Sequence, residues 1–203
     1  MENKNREALS AIEISFIVFM FFFGYVLIIK PMLADIRFTD LKRSCGSMYN
    51  KIDYASKNIA GNSNFVNRFN NEKEIINAYS QLLQIDLICD DAKEEGCWSS
   101  NWLWEGLKKP GLKTNEGEFI MAELISPGCS NDSNIIGTCA ALYIDTNGGK
   151  PPNIIGQDIL KVYIIKNGIA PAGIREDILN PQKKCDMIKR FNWGCTARYL
   201  GIK

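Results

Sequence analysis

Residues 7–31, EALSAIEISFIVFMFFFGYVLIIKP, form the stretch from which the rest of the chain is best interpreted. Residues 14–29 carry no charge and are almost all apolar, and with residues 9–13 they give about twenty helical residues, enough to cross a bilayer. The stretch predicts a membrane-spanning helix. A secretory signal peptide is the alternative, but its apolar region is shorter and ends at small residues, whereas Lys30-Pro31-Met32 follows here.

The composition of the whole chain narrows the classes of function. The chain has 203 residues, 46% of them hydrophobic, which is enough for one globular domain behind one anchor. Its 24 Lys and Arg against 23 Asp and Glu leave a net charge of +1, so no nucleic-acid partner is expected. The chain has no histidine, which removes Ser-His and Cys-His catalytic pairs. We therefore expect a protein that is not an enzyme.

Six of the seven cysteines lie in the C-terminal two thirds of the chain, and none has the CxxC spacing of a zinc site. They predict disulfides on an oxidising, extracytoplasmic side of the membrane. A preference for short loops would pair Cys89–Cys97, Cys129–Cys139 and Cys185–Cys195, although many other pairings remain open. Cys45 would then be a buried free thiol.

Helical periodicity continues beyond the apolar stretch. An apolar seam with spacings of three and four is formed by Leu41, Cys45, Met48, Ile52, Ala55 and Ile59. The seam predicts one helix that continues past Pro31 and ends near Gly61. Two separate helices with a break at residues 31–38 are the alternative, because those residues are more polar.

The remaining pattern predicts a head of mixed secondary structure. An amphipathic helix is expected over residues 72–84, and strands over 118–125, 138–145, 159–166 and 169–171. Asn167-Gly168 is a tight-turn signal between the last two strands. The expected fold class is α+β, with a long N-terminal hydrophobic helix packed on a small antiparallel sheet and stabilised by disulfides.

The N-terminus is similar to that of a known family. A polar leader of residues 1–8, the sequence Leu9-Ser10-Ala11-Ile12-Glu13, the apolar helix and Pro31 resemble type IV pilins and type II secretion pseudopilins. The resemblance implies cleavage by a prepilin peptidase between Ala8 and Leu9 and methylation of the new N-terminus at Leu9. Glu13 would then be the fifth residue and would pair with the methylated amine of a neighbouring subunit during assembly. The alternative is an ordinary anchor whose Glu13 lies at the level of the lipid headgroups.

A second resemblance to pilin-like secretion proteins lies in the loop 145–158, DTNGGKPPNIIGQD, and in the cysteine pair near the C-terminus. Asp145, Asn147 and Asp158 offer hard oxygen ligands, and some pseudopilins bind calcium in this region. A hydrogen-bonded turn without a metal is the alternative.

Together the resemblances imply four segments: a leader (1–8), the assembly half of the helix (9–30), its amphipathic half (31–61) and an extracytoplasmic head (62–203). The expected function is that of a structural subunit of a type IV pilus or a type II secretion pseudopilus. Its partners would be other subunits, the prepilin peptidase and the assembly platform of a bacterial inner membrane, with the head in the periplasm. A membrane-anchored binding or adhesin domain that does not polymerise is the alternative.

Overall fold

The structure is a computed structural model that describes residues 11–99, 108–130, 137–174 and 192–202. The chain divides into two compact units, Met1–Asp40 and Leu41–Lys203. The division falls inside a helix.

The first unit is helical throughout its described residues. Helix α1 covers Ala11–Gly24, a π-helical turn covers Tyr25–Ile29, and helix α2 begins at Lys30 and ends at Ala60. The backbone N–H of Lys30 donates to the carbonyl of Tyr25, five residues back. This wider turn lies immediately before Pro31, whose ring would clash with a carbonyl of a regular α-helical turn. Helical structure therefore continues past the proline, and the break considered for residues 31–38 is not found.

The second unit buries the C-terminal half of α2. Cys45, Met48, Ile52 and Ala55 are completely inaccessible to solvent, and Ile59 nearly so. Together with Leu41, which is only partly buried, these residues are the predicted apolar seam. Their spacing places them on one face of the helix, so that a single face supplies much of the core.

A six-stranded sheet packs against this face. Every neighbouring pair of strands is antiparallel, and the strand order in the sheet follows the order in the chain. The strands are β1 (Ile85–Cys89), β2 (Gly111–Thr114), β3 (Phe119–Leu124), β4 (Thr138–Asp145), β5 (Ile159–Ile165) and β6 (Gly168–Pro171). Together with the helices the sheet gives an α+β architecture, as expected.

The central strand of the sheet is buried on both faces. Alternate residues of β4, such as Leu142 and Ile144, join the core around α2. The intervening residues Ala141 and Tyr143 join a second core on the opposite face, with Trp98 and Tyr163. Because side chains of a strand alternate between faces, a central strand covered on both sides has no exposed residue, and all eight residues of β4 are buried.

Two short helices complete the second unit. Helix α3, Glu72–Ser80, is shorter than the predicted helix 72–84, and its N-cap Asn71 accepts a hydrogen bond from the N–H of Glu74. The hydroxyl groups of Tyr79 and Ser56 are 2.6 Å apart and join α3 to α2 inside the core. Helix α4, Cys195–Leu200, is near the C-terminus and was not predicted.

Strands β1 and β2 were also missed by the sequence pattern. β1 has three exposed residues in five, and β2 has only four residues, so neither shows a clear alternation of apolar and polar side chains. They are fixed by their pairing with each other and with β3.

Two of the disulfides favoured by short loops are present. Cys89 is bonded to Cys97 and Cys129 to Cys139. Cys195 is also disulfide-bonded, while its predicted partner Cys185 lies outside the described residues. Cys45 is a buried free thiol, as expected.

Candidate functional site

The first candidate site is the apolar surface of the N-terminal helices. The helical run Ile12–Ala60 contains an 18-residue window apolar enough to cross a membrane, and none of that window is buried within the protein. Side chains such as Phe21 and Ile28 are exposed over 77% and 67% of their surface. A contiguous apolar surface of this size is rare on proteins surrounded by water. These helices therefore form a candidate membrane anchor.

Glu13 is the acidic residue in the first turn of α1, and its side chain is exposed. Ala8 and Leu9, the predicted cleavage and methylation residues, lie outside the described residues.

The second candidate site is the loop 145–158 between β4 and β5. Asp145 is the last residue of β4, and Asp158 precedes the first residue of β5. Both aspartates are completely buried. The Asp158 carboxylate accepts hydrogen bonds from the N–H of Asn153 at 2.7 Å and of Ile154 at 2.5 Å, and Asp145 accepts one from Asn147 at 3.3 Å. The predicted residues Asp145, Asn147 and Asp158 thus belong to one hydrogen-bonded loop.

This loop also bonds to α2. Ser44 donates its hydroxyl hydrogen to the carbonyl of Thr146 at 3.0 Å, and the thiol of Cys45 donates to the carbonyl of Gln157 at 3.1 Å. Thr146 in turn donates to the carbonyl of Asp158 through both its backbone N–H, at 2.9 Å, and its hydroxyl, at 3.1 Å. The sequence did not reveal the two bonds from α2, because they join residues 102 and 112 positions apart.

Two glycines allow neighbouring segments to approach the loop closely. Gly148 and Gly156 have φ angles of +63° and +76°, which L-residues with side chains rarely adopt. A methyl group on Gly148 would collide with the Gly117 carbonyl in the β2–β3 turn, and one on Gly156 with the Asn192 carbonyl before α4. The loop is therefore where α2, the β2–β3 turn and the C-terminal segment meet.

The loop carries two buried acidic groups. Burial raises the pKa of Asp145 to about 7, and the nearby charge of Asp158 adds to the rise, while the N–H groups of Asn147 and Gly148 oppose it. Burial also raises the pKa of Asp158. The pKa of the Cys45 thiol is raised to about 11, again mainly by burial, so this cysteine is protonated and unreactive at neutral pH.

The loop holds oxygen donors of the kind that Ca²⁺ takes, although both carboxylate oxygens of Asp158 already accept main-chain N–H groups. Asp145 and Asp158 supply two carboxylates, and the buried side-chain oxygen of Asn147 has no hydrogen-bond partner. Hard oxygen donors of this kind are those that Ca²⁺ takes, in sets of six to eight. No group of three or more His, Cys, Asp or Glu side chains that could hold a metal occurs among the described residues, so amide and main-chain oxygens would have to complete the set. A bound Ca²⁺ would offset the repulsion between the two carboxylates.

No protein-family model, curated protein sequence or solved structure matches this chain.

Proposed function

We propose that this protein is a structural subunit of a bacterial surface or secretion fibre, of the type IV pilus or type II secretion pseudopilus class. The observation that supports this proposal best is a single helical run whose two parts have different environments. Its N-terminal part exposes a membrane-length apolar surface with Glu13 in its first turn. Its C-terminal part forms the core of a disulfide-bonded head.

In this proposal the apolar helix has two successive surroundings. Before assembly it crosses the inner membrane, with the head in the periplasm, where an oxidising environment maintains the disulfides. After a prepilin peptidase cuts between Ala8 and Leu9 and Leu9 is methylated, the helix packs against the helices of other subunits. The assembly platform in the membrane supplies the mechanical step.

Glu13 would set the register between subunits. A carboxylate in an apolar helix costs about 2.5–3.5 kcal/mol at the centre of a bilayer on insertion scales, and less near its surface. Pairing with the N-terminal amine of a neighbouring subunit recovers part of that cost, but only at one axial position. The charge therefore selects a single stagger between neighbours.

The test has two parts, both on the full chain in its native membrane. The first is the intact mass and N-terminal sequence: processing predicts a chain that begins at Leu9 and carries one additional methyl group. A chain that still begins at Met1 would contradict the proposal and favour an anchored binding domain that does not polymerise.

The second part compares Glu13→Gln with Glu94→Gln, which removes an exposed carboxylate of the head. Both variants should insert into the membrane, but only Glu13→Gln should be depleted from sheared fibre fractions. Equal recovery of the two variants in fibres would contradict the role of Glu13.

A further inference from the structure

The chain contains two Asn-Gly pairs, Asn147-Gly148 in the loop 145–158 and Asn167-Gly168 in the turn between β5 and β6. In such a pair the main-chain nitrogen of glycine can attack the side-chain amide carbon of asparagine, because glycine has no Cβ in the way. A carbon–nitrogen bond forms and closes a succinimide ring, and the side-chain nitrogen leaves as ammonia with the proton of the glycine N–H. One water molecule then opens the ring to aspartate or isoaspartate.

The first pair is held by hydrogen bonds that oppose this reaction. The N–H of Gly148, which carries the attacking nitrogen, donates to the buried carboxyl group of Asp145, and so does the N–H of Asn147 at 3.3 Å. The side-chain nitrogen of Asn147 donates to the carbonyl of Pro151 at 3.5 Å. Ring closure would leave the buried carboxyl group without its donors, which is costly, so the loop should protect this pair.

The second pair is not restrained in this way. Asn167 is exposed, and its side chain makes no hydrogen bond to the residues that the structure describes. A methyl group on Gly168 would meet no atom within 4 Å, so the space beside this backbone is open. The side chain of Asn167 can therefore turn over the following peptide group, as ring closure requires.

The nitrogen of Gly168 is restrained by the end of the β5–β6 ladder. The N–H of Ala172 donates to the carbonyl of Lys161, and hydrogen-bonded pairs alternate along an antiparallel ladder. Ala170 and Gly168 are therefore hydrogen-bonded to β5 as well, and Gly168, opposite Ile165, belongs to the last such pair before the turn. Bonds at the end of a ladder open at low free energy, so this nitrogen is released much more readily than that of a buried loop.

We propose that Asn167 is a site of spontaneous deamidation, with water as the second reactant, and that the fold protects Asn147 from the same reaction. The inference does not depend on fibre assembly, because it rests on two connections between strands of the second unit. The modified chain carries aspartate or isoaspartate at position 167.

The product changes the turn in charge and in length. A neutral amide becomes a carboxylate next to Lys166, and isoaspartate adds one carbon to the main chain of a turn of two residues. Lys166 donates its N–H to the carbonyl of Gly137 at 2.8 Å and accepts from the N–H of Phe65 at 3.0 Å, so the turn is also bonded to two other segments. A longer main chain here should loosen β6.

The test incubates the full chain in a non-ionic detergent at mildly alkaline pH, in water enriched in heavy oxygen, and follows both pairs by peptide mass spectrometry. We expect deamidation at Asn167 to be about tenfold or more faster than at Asn147, with one heavy oxygen atom incorporated per event. In denaturant with a reducing agent the fold protects neither pair, so the two rates should agree within about threefold.

Asn167→Gln provides the matched control, because its longer side chain closes a ring far more slowly. Amide hydrogen exchange at Ala170 in β6 should be about tenfold faster in the isoaspartate form, separated by chromatography, than in the fresh protein. Asn167→Gln incubated for the same time should keep the exchange rate of the fresh wild type.

Three results would overturn the proposal. They are equal or faster deamidation at Asn147 in the folded chain, no reaction at Asn167 under conditions in which it reacts in the denatured chain, and an equally strong preference for Asn167 in the denatured chain. In the last case the fold would not be the cause of the preference. Unchanged exchange at Ala170 in the isoaspartate form would overturn the loosening of β6.

Discussion

Helix α2 and the helical turns before it have similar backbones but opposite surroundings. In the first unit, Met1–Asp40, the apolar side chains of α1 are exposed, whereas in the second unit, Leu41–Lys203, the seam of α2 is buried apart from the partly buried Leu41. Helix α1 has apolar residues around its whole circumference, whereas the part of α2 in the second unit has them on one face. A hydrophobic surface on all sides requires lipid or other helices, while a one-sided surface is satisfied by packing on a sheet.

The largest expected effect comes from truncating one isoleucine in each of the two regions. Ile52→Ala should lower the free energy of unfolding of the head by about 2–5 kcal/mol, since Ile52 is completely buried. Ile28→Ala should leave it unchanged, because Ile28 is exposed over 67% of its surface. Denaturation of the full chain in detergent, followed by tryptophan fluorescence, measures both values. Similar losses in the two variants would show that the helices depend on the same core.

Removing a disulfide tests how much the head relies on covalent bonds. The double variant Cys129→Ala, Cys139→Ala opens a loop of 10 residues and should lower the free energy of unfolding by about 2–3 kcal/mol. The same denaturation experiment measures it. Because the variant lacks this bond, a reducing agent cannot destabilise it by breaking that bond. If the variant and the wild type have the same unfolding midpoint, the disulfide is dispensable for the stability of the head.

The buried loop predicts an unusual dependence on pH. The pKa of Asp145 rises from 3.8 in the unfolded chain to about 7 in the folded protein, so the folded state binds this proton more tightly. Its contribution to the free energy of unfolding should therefore fall as the pH rises from about 4 to 7 and stay constant above 7. Asp145→Asn should remove this fall and make the protein about 1–3 kcal/mol more stable than the wild type above pH 7 without calcium. Equal pH profiles for the two proteins would contradict the prediction.

Calcium should make the wild type more stable than Asp145→Asn, which reverses the order of stability expected without calcium. If Asp145, Asn147 and Asp158 hold Ca²⁺, millimolar calcium should raise the melting temperature of the wild type, and chelation by EGTA should restore it. Asp145→Asn should respond much less. Calorimetry showing no response of the wild type to calcium would favour a loop closed by hydrogen bonds alone.

The smallest expected effect comes from two helical glycines. A methyl group on either Gly24 or Gly46 would meet no atom within 4 Å. Gly46→Ala should stabilise the head by about 0.5–1 kcal/mol, because alanine favours the helix. Gly24→Ala should leave unfolding of the head unchanged, since Gly24 belongs to the first unit. Stabilisation of the head by Gly24→Ala would indicate that the two units unfold together.

Features with a local, periodic signal were the ones that could be predicted. The expected strand 138–145 coincides with β4, and the strands expected over 118–125 and 159–166 correspond to β3 and β5 within a residue at each end. Their apolar side chains supply the signal directly. β1 and β2 gave no such signal, because β1 is largely exposed and β2 is largely buried, so neither alternates between apolar and polar side chains.

The candidate sites divide in the same way. The exposed apolar helix and the acidic loop could be located from the sequence, and the prepilin-type processing at Ala8 and Leu9 remains a prediction. The bonds from Ser44 and Cys45 to the loop could not be predicted, because nothing in a helical pattern indicates which distant loop its polar residues will contact. The pairing of β1 with β2 was equally invisible, since it follows from strand register.

The sequence by itself determined the membrane-length helix, the buried seam that continues it, and the antiparallel core of the sheet. These follow from hydrophobic periodicity, which acts within a few residues of each position. The tertiary structure decided that Asp145 and Asp158 are buried together beside Cys45, and that β1 is an edge. Both depend on contacts between segments far apart in the chain, where the electrostatic and hydrogen-bonding environment of a residue is set by neighbours that only folding brings together.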